Sequence, residues 1–244
     1  MAEKMEVENN GGDSSIDESL YSRQLYVFGH EAQARMQNSD VLIVGLSGLG
    51  VETAKNVILS GVKSVTLYDN DLVTYKDLSA NFYLSESDIG KPRATSCVTQ
   101  LSALNPNVKV SVMDTELSPN NLINFSCVVL MGVSPTKQIE LNEFCRSKNI
   151  SFIAADAYGL FGYIFCDFGN SFVVNDTNGE IAATSMVAGV TTDSGDVMVT
   201  TLEDTRHGLE SGDYVALTDI VGMEALNGKE YKVRIPGKWH KRVW

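Results

Sequence analysis

The stretch Asp40–Asp69, DVLIVGLSGLGVETAKNVILSGVKSVTLYD, decides the fold. Val41 to Val44 form an unbroken apolar run, as a strand buried on both faces requires. Gly45, Gly48 and Gly50 then crowd a single turn, where the backbone bends sharply and a helix must start close to the sheet. Val51, Ala54, Val57 and Ile58 recur at helical spacing, Gly61 closes that helix, and Val65 to Tyr68 form the next strand. Asp69 ends this strand nineteen residues beyond Gly50, the place where doubly wound nucleotide-binding sheets carry a carboxylate for the ribose hydroxyls. Helix N-terminal amides would face a phosphate, and the acid would fix the sugar. Against the fingerprint G-x-G-x-x-G, however, the run reads G-x-S-G-x-G, and the Cβ of Ser47 obstructs the backbone approach that a phosphate needs. Two readings stay open at this point: a nucleotide site, or a βαβ unit whose glycines serve packing alone.

Outward from this unit, strands and helices keep alternating. A helix is expected over Glu31–Gln37 ahead of the first strand, with order beginning near Leu20. A long polar connection, Asn70–Pro92, precedes a helix over Arg93–Leu104 with Cys97, Val98, Leu101 and Leu104 on one face, stopped at Asn105-Pro106. Strands follow at Val108–Val112, Cys127–Met131 and Ile150–Ala155, with a helix between Thr136 and Lys148. This pattern predicts a Rossmann-like, doubly wound, mostly parallel α/β sheet. The character changes near Gly159. From Tyr163 the runs YIFCDF, SFVVND, GDVMVTTL and DYVALTDI are separated by N-G, S-G and G-D turn signals with no helical period, which predicts a small all-β, barrel-like or curled unit. The expected division is a polar tail at 1–17, the α/β domain at 18–167, the β unit at 168–235, and an irregular end at 236–244 with no evident strand partner.

Composition narrows the chemistry. The 244 residues are 43% hydrophobic and 20% charged, as in a soluble globular protein. A net charge of −12 speaks against a nucleic-acid partner, which requires clustered Lys and Arg. No apolar run reaches the roughly 18 residues of a membrane span, so no membrane partner is expected. Cys97, Cys127, Cys145 and Cys166 show no metal-type spacing and read as reduced thiols, with no metal site expected.

Several short motifs together resemble one family. Tyr21-Ser22-Arg23-Gln24-Leu25-Tyr26, Gly48-Leu49-Gly50-Val51-Glu52, Asp88-Ile89-Gly90-Lys91 and Gly159-Leu160-Phe161-Gly162 resemble the N-terminal part of ubiquitin-activating enzymes. His207-Gly208-Leu209-Glu210-Ser211-Gly212-Asp213-Tyr214, Val221-Gly222-Met223 and Leu226-Asn227-Gly228 resemble the first half of the catalytic-cysteine domain of that family. The resemblance implies two homologous adenylation domains paired pseudo-symmetrically, one of them inactive, with ATP and Mg²⁺ held by the active one. On this chain Asp69 matches the ribose acid, but Asp77-Leu78-Ser79-Ala80 stands where the active domain has Asn-x-x-Arg. Arg93 takes the place of a catalytic lysine, and Gly132 falls near the late magnesium-binding Asp, with no carboxylate between Cys127 and Lys137.

The resemblance therefore implies the inactive half: Asp69, Gly45, Gly48 and Gly50 are vestigial, and this chain itself holds no cofactor. It also implies that Arg23 reaches in trans to the partner domain's ATP. The thioester cysteine is expected elsewhere, so the chain reads as a fragment of a ligase and not a free-standing enzyme. The expected partners are ubiquitin and the active adenylation domain, in cytoplasm and nucleus. Three other readings are the non-catalytic subunit of a heterodimeric activator, such as that for SUMO, an NAD-dependent oxidoreductase prompted by the glycine turn and Asp69, and a ubiquitin-binding module outside any enzyme.

Overall fold

The computed structural model describes residues 16–174, 179, 183–193, 196–202, 207–235 and 242–243. Residues 1–15 of the expected tail, and all of 236–244 except Arg242 and Val243, lie outside the described residues. The chain divides into two compact units, Met1–Thr177 and Asn178–Trp244.

In the first unit a helix, α1 (Glu18–Gln37), leads into β1 (Asp40–Val44), α2 (Gly48–Leu59) and β2 (Ser64–Tyr68). Then come α3 (Arg93–Ser102), β3 (Lys109–Val112), β4 (Cys127–Leu130), α4 (Pro135–Ser147), β5 (Ser151–Tyr158) and β6 (Phe161–Asp167). The strands form one sheet in the order β3-β2-β1-β4-β5-β6, parallel up to β5. This is the doubly wound order of dinucleotide-binding sheets, with the reversal between β1 and β4. Alternation along the strands feeds two cores. Val41 and Ile43 point with Val65, Leu67 and Val129 toward the face that buries Val51, Ala54 and Ile58 of α2 and Cys97 and Leu101 of α3. Leu42 and Val44 point with Val128, Leu130 and Phe152 toward the face that buries Leu141 and Cys145 of α4. Each of these buried Val, Leu, Ile and Phe side chains contributes about 1.5–3 kcal/mol, and helices are thereby fixed on both faces.

Two elements differ from the sequence expectation. The first helix is longer than Glu31–Gln37, because Asp17 caps an earlier start by accepting from the Ser19 and Leu20 amides at 3.1 Å. Gly29, at φ 77°, kinks α1 into two segments, so no single apolar stripe runs its length. The run Tyr163–Phe168, read by its turn signals as opening the β unit although the expected α/β boundary lies at 167, lies largely in β6 of the α/β sheet. It pairs antiparallel with β5 through the two-residue turn Gly159-Leu160, where Gly159 supplies the positive φ of 61° that such a turn requires.

In the second unit β7 (Val187–Asp193), β8 (Asp196–Thr201) and β11 (Arg242–Val243) form one antiparallel sheet, and β9 (Tyr214–Ala216) pairs with β10 (Glu230–Lys232). The curled β unit thus takes the form of two small antiparallel sheets, and the C-terminal segment, expected to lack a partner, pairs with Val199 and Thr200 of β8. The SFVVND run contributes no strand among its described residues, 171–174. The quoted motifs of this unit are turn devices. The Asn227 side chain accepts from the Ile220 amide at 2.9 Å and donates to its carbonyl at 3.0 Å, while Gly228 N donates to Leu217 O. Asp213 closes the other loop by accepting from Glu210 N at 2.7 Å.

Candidate functional site

The glycine turn sits where β1 ends and α2 begins, at the reversal of strand order. Gly45 has φ 83°, and a Cβ there would overlap the Met131 carbonyl oxygen. A Cβ on Gly50 would overlap the Gly45 carbonyl oxygen, and one on Gly48 would lie 2.8 Å from the Ala80 methyl. All three glycines are thus required by neighbouring protein atoms. Asn81, buried beneath this turn, donates to Leu46 O at 3.0 Å and accepts from Tyr83 N, so the segment after Asp77 packs directly on the turn. Ser47 occupies the N-cap of α2 without a side-chain cap bond.

Asp69 is 6% exposed. Its Oδ2 accepts from Leu46 N at 2.7 Å and from Arg93 Nη1 at 2.6 Å, and its Oδ1 accepts from Asp71 N at 2.9 Å. The carboxylate expected at a ribose is therefore turned inward onto protein donors. Arg93, with its side chain 12% exposed, also brings Nε to 3.2 Å from Asp77 Oδ1, an ion pair without hydrogen-bond alignment, since Nε has no hydrogen-bond partner. Burial alone would depress the guanidinium's pKa, but Asp69, then Asp77 and Asp71, outweigh it and hold it above the ordinary value. Asp77 shifts downward: burial opposes this, and the Thr74 hydroxyl, the Thr74 amide and Arg93 prevail.

These residues do not fit a nucleotide with its magnesium. Leu46 N is spent on Asp69, Arg93 is spent on two carboxylates, and Ala80 offers only a methyl. No group of three or more potential metal ligands lies among the described residues. One acid escaped the sequence reading near Gly132. Asp156, on β5, accepts from Gly132 N at 2.6 Å and from Tyr163 Oη at 3.1 Å. It lies 24 residues away in sequence and approaches only because β4 and β5 pair. The available signal was its standing as the sole charged residue of the β5 run SFIAADAY.

Arg23 lies on the N-terminal segment of α1. Tyr21 is buried there against Gly61, and its hydroxyl accepts from Asn105 Nδ2 at 3.0 Å, while Gln24 Nε2 donates to Ser60 O at 3.4 Å. Between these anchors Arg23 is exposed, without an ion pair or hydrogen bond among the described residues, and Tyr26, Val27 and Phe28 beside it are also exposed. The four thiols divide. Burial raises Cys97 and pushes Cys127 and Cys145 up to about 11, which leaves them almost wholly protonated at neutral pH, and Cys166 is exposed.

The Asp88-Ile89-Gly90-Lys91 motif is a capped turn. Asp88 accepts from the Ser85 hydroxyl at 2.7 Å, from Lys91 Nζ at 3.0 Å and from the Ser85 amide at 3.0 Å, and these lower its carboxyl to about 2. The sign follows from linkage: a depressed acid stabilises above its ordinary value of 3.8, and that contribution fades as pH falls through the folded value. NMR titration of the Asp88 carboxyl carbon is expected to give a midpoint near 2. A midpoint near 4 would show that the turn is open in solution.

The profile of the ThiF family matches residues 21–194, well over half of the chain. The chain belongs to the ThiF family. The profile described as the ubiquitin-activating enzyme E1 FCCH domain matches residues 194–240. Among full-length relatives, ubiquitin-activating enzyme E1 1 of Schizosaccharomyces pombe is 54% identical over 227 residues, covering 93% of this chain and 22% of the relative. Ubiquitin-like modifier-activating enzyme 1 of Homo sapiens is 48% identical over 221 residues, covering 91% and 21%. This ThiF-family chain thus corresponds to about a fifth of the length of the relatives it matches. Among solved structures, E. coli MccB (24% identity, TM-score 0.50, 56% of this chain and 44% of that one) and E. coli tRNA N6-threonylcarbamoyladenosine dehydratase, TcdA (20%, 0.50, 56% and 59%), share the fold.

Proposed function

We propose that this chain is the non-catalytic N-terminal part of a ubiquitin-activating enzyme. It scaffolds an active adenylation domain, helps hold ubiquitin, and donates Arg23 in trans to that domain's ATP. Both profiles and the full-length relatives support the enzyme family. The FCCH match favours the ubiquitin enzyme over the activator of another modifier, and the family favours it over an NAD-dependent oxidoreductase. The observation that carries the scaffold reading is the inward-turned Asp69, whose oxygens are taken by Leu46, Asp71 and Arg93. Adenylation requires positive groups and a metal to neutralise the triphosphate while a carboxylate attacks the α-phosphorus. Here the one buried arginine of the turn is already neutralised by protein acids. ATP and Mg²⁺ belong, on this reading, to the partner domain, and the thioester cysteine lies outside this chain, in an enzyme acting in cytoplasm and nucleus.

The isolated chain is therefore expected to show no ubiquitin-dependent ATP–pyrophosphate exchange, measured with labelled pyrophosphate at saturating ubiquitin. Robust exchange by the chain alone, lost in Asp69→Ala, would reverse the assignment.

A further inference from the structure

The connection from Asn70 to Pro92 is long, polar and almost without regular structure, yet it is closed at its neck. Val73 N donates to Lys91 O at 2.9 Å, Gly90 N to Val73 O at 2.9 Å and Arg93 N to Asp71 O at 2.9 Å, and Leu72 bridges Pro92. Above the neck, Asp77 gathers the Thr74 amide at 2.8 Å and the Thr74 hydroxyl at 2.7 Å. Its remaining oxygen faces Arg93 Nε, while the other end of the same guanidinium holds Asp69 at 2.6 Å. Asp69 in turn holds the amide of Leu46, inside the glycine turn. A single side chain on α3 thus joins the end of β2, the glycine turn and the far part of the loop.

We infer that Arg93 is an internal occupant of the nucleotide half-site: its guanidinium takes the Asp69 oxygen that a ribose hydroxyl would engage, and latches the 70–92 connection shut over the glycine turn. The physical case rests on what each group would lack without it. Asp69 is buried, and a buried carboxylate keeps its charge only when paired and hydrogen-bonded. Where a ligand would complete such a site transiently, Arg93 completes it permanently. The turn then has one state instead of an open and a loaded one, and the loop holds exposed Tyr75 and Phe82 in fixed places. The inference rests on the reading above that this domain performs no adenylation.

Amide hydrogen exchange of the whole chain, read residue by residue by NMR, tests the latch. Leu46 and Asp71 amides are expected to be protected without nucleotide and to keep the same rates when MgATP is added. Arg93→Met should speed exchange at both by roughly tenfold or more, since hydrogen bonds to a charged group carry such energies. Arg93→Lys guards against a variant that fails to fold. Its ammonium still pairs with Asp69 but cannot span to Asp77, so Leu46 should stay protected while the Thr74 amide exchanges faster. Unchanged rates at Leu46, Asp71 and Thr74 in both variants would overturn the latch. So would slowed exchange at Leu46 on adding MgATP to the unaltered chain. That second outcome, combined with absent ATP–pyrophosphate exchange, would remove this inference and leave the scaffold reading standing.

Discussion

Arg23→Ala, introduced into the full-length enzyme, is expected to lower ubiquitin-dependent ATP–pyrophosphate exchange by roughly a hundredfold or more, the scale on which a single preorganised donor to a developing anion acts. The expectation is specific to this arginine because of how it is held. Tyr21, packed on Gly61 and bonded to Asn105, and Gln24, bonded to Ser60 O, fasten the helix beside the carboxyl ends of α2 and α3 and fix the backbone on either side of Arg23. The guanidinium itself is exposed and touches no acid among the described residues. Because the side chain is exposed and forms no hydrogen bond or ion pair among the described residues, the melting temperature of the 244-residue chain should move by less than about 2 °C in the same variant. Arg23→Lys should recover only part of the exchange, since an ammonium cannot bind two phosphate oxygens in a fork. Wild-type exchange in the alanine variant would remove the trans role from Arg23.

Much of the fold was legible because β1, β4 and the helices behind them obey simple periods. An unbroken apolar run such as Val41–Val44 serves two cores at once, and only a strand covered on both faces does so. The N-terminal half of α1 was not legible. Tyr21 is buried and Gln24 and Leu25 are half-buried, but the apolar residues Leu20, Tyr26, Val27 and Phe28 face outward, so hydrophobicity does not mark the buried face there. The role of β6 was hidden for a related reason. Phe161, Ile164 and Phe165 are all exposed in the unit, and turn residues alone cannot say which sheet a hairpin joins. At the candidate site, Asp69 and the glycines could be located by spacing, but their partners could not. Whether a carboxylate faces a ligand or an arginine 24 residues later depends on the path of an irregular loop, and irregular loops have no period. Asp156 beside Gly132 repeats the lesson, as strand pairing brought in an acid that local sequence lacked.

The glycine turn itself yields the largest expected loss of stability. Gly50→Ala should destabilise the first unit by about 3 kcal/mol or more, lowering its thermal transition by roughly 6–12 °C. Helix propensity argues the other way, since alanine inside α2 gains about 1 kcal/mol over glycine. Sterics decide. The new methyl would overlap the Gly45 carbonyl oxygen, which is backbone, and Met131 Cε stands 3.2 Å away on the other side. The Gly45 carbonyl shares its peptide plane with Leu46 N, which is tied to Asp69 Oδ2 at 2.7 Å, so that carbonyl cannot turn away without disturbing this bond. Gly45→Ala should cost a similar amount, as it combines a φ of 83° with overlap on the Met131 carbonyl oxygen. Gly48→Ala should cost least, because the added methyl would lie 2.8 Å from the Ala80 methyl and 3.1 Å from its carbonyl oxygen, a shallower overlap than at Gly45 or Gly50. This ranking separates packing from phosphate binding. A turn kept for phosphate would be harmed functionally, not thermally, by a Cβ that faces the ligand. A turn kept for helix–sheet contact melts in the order set by how deeply the new methyl overlaps its neighbours. Thermal denaturation of the three variants, followed by circular dichroism, distinguishes the two, and a Gly50→Ala transition within about 2 °C of the parent would defeat the packing account.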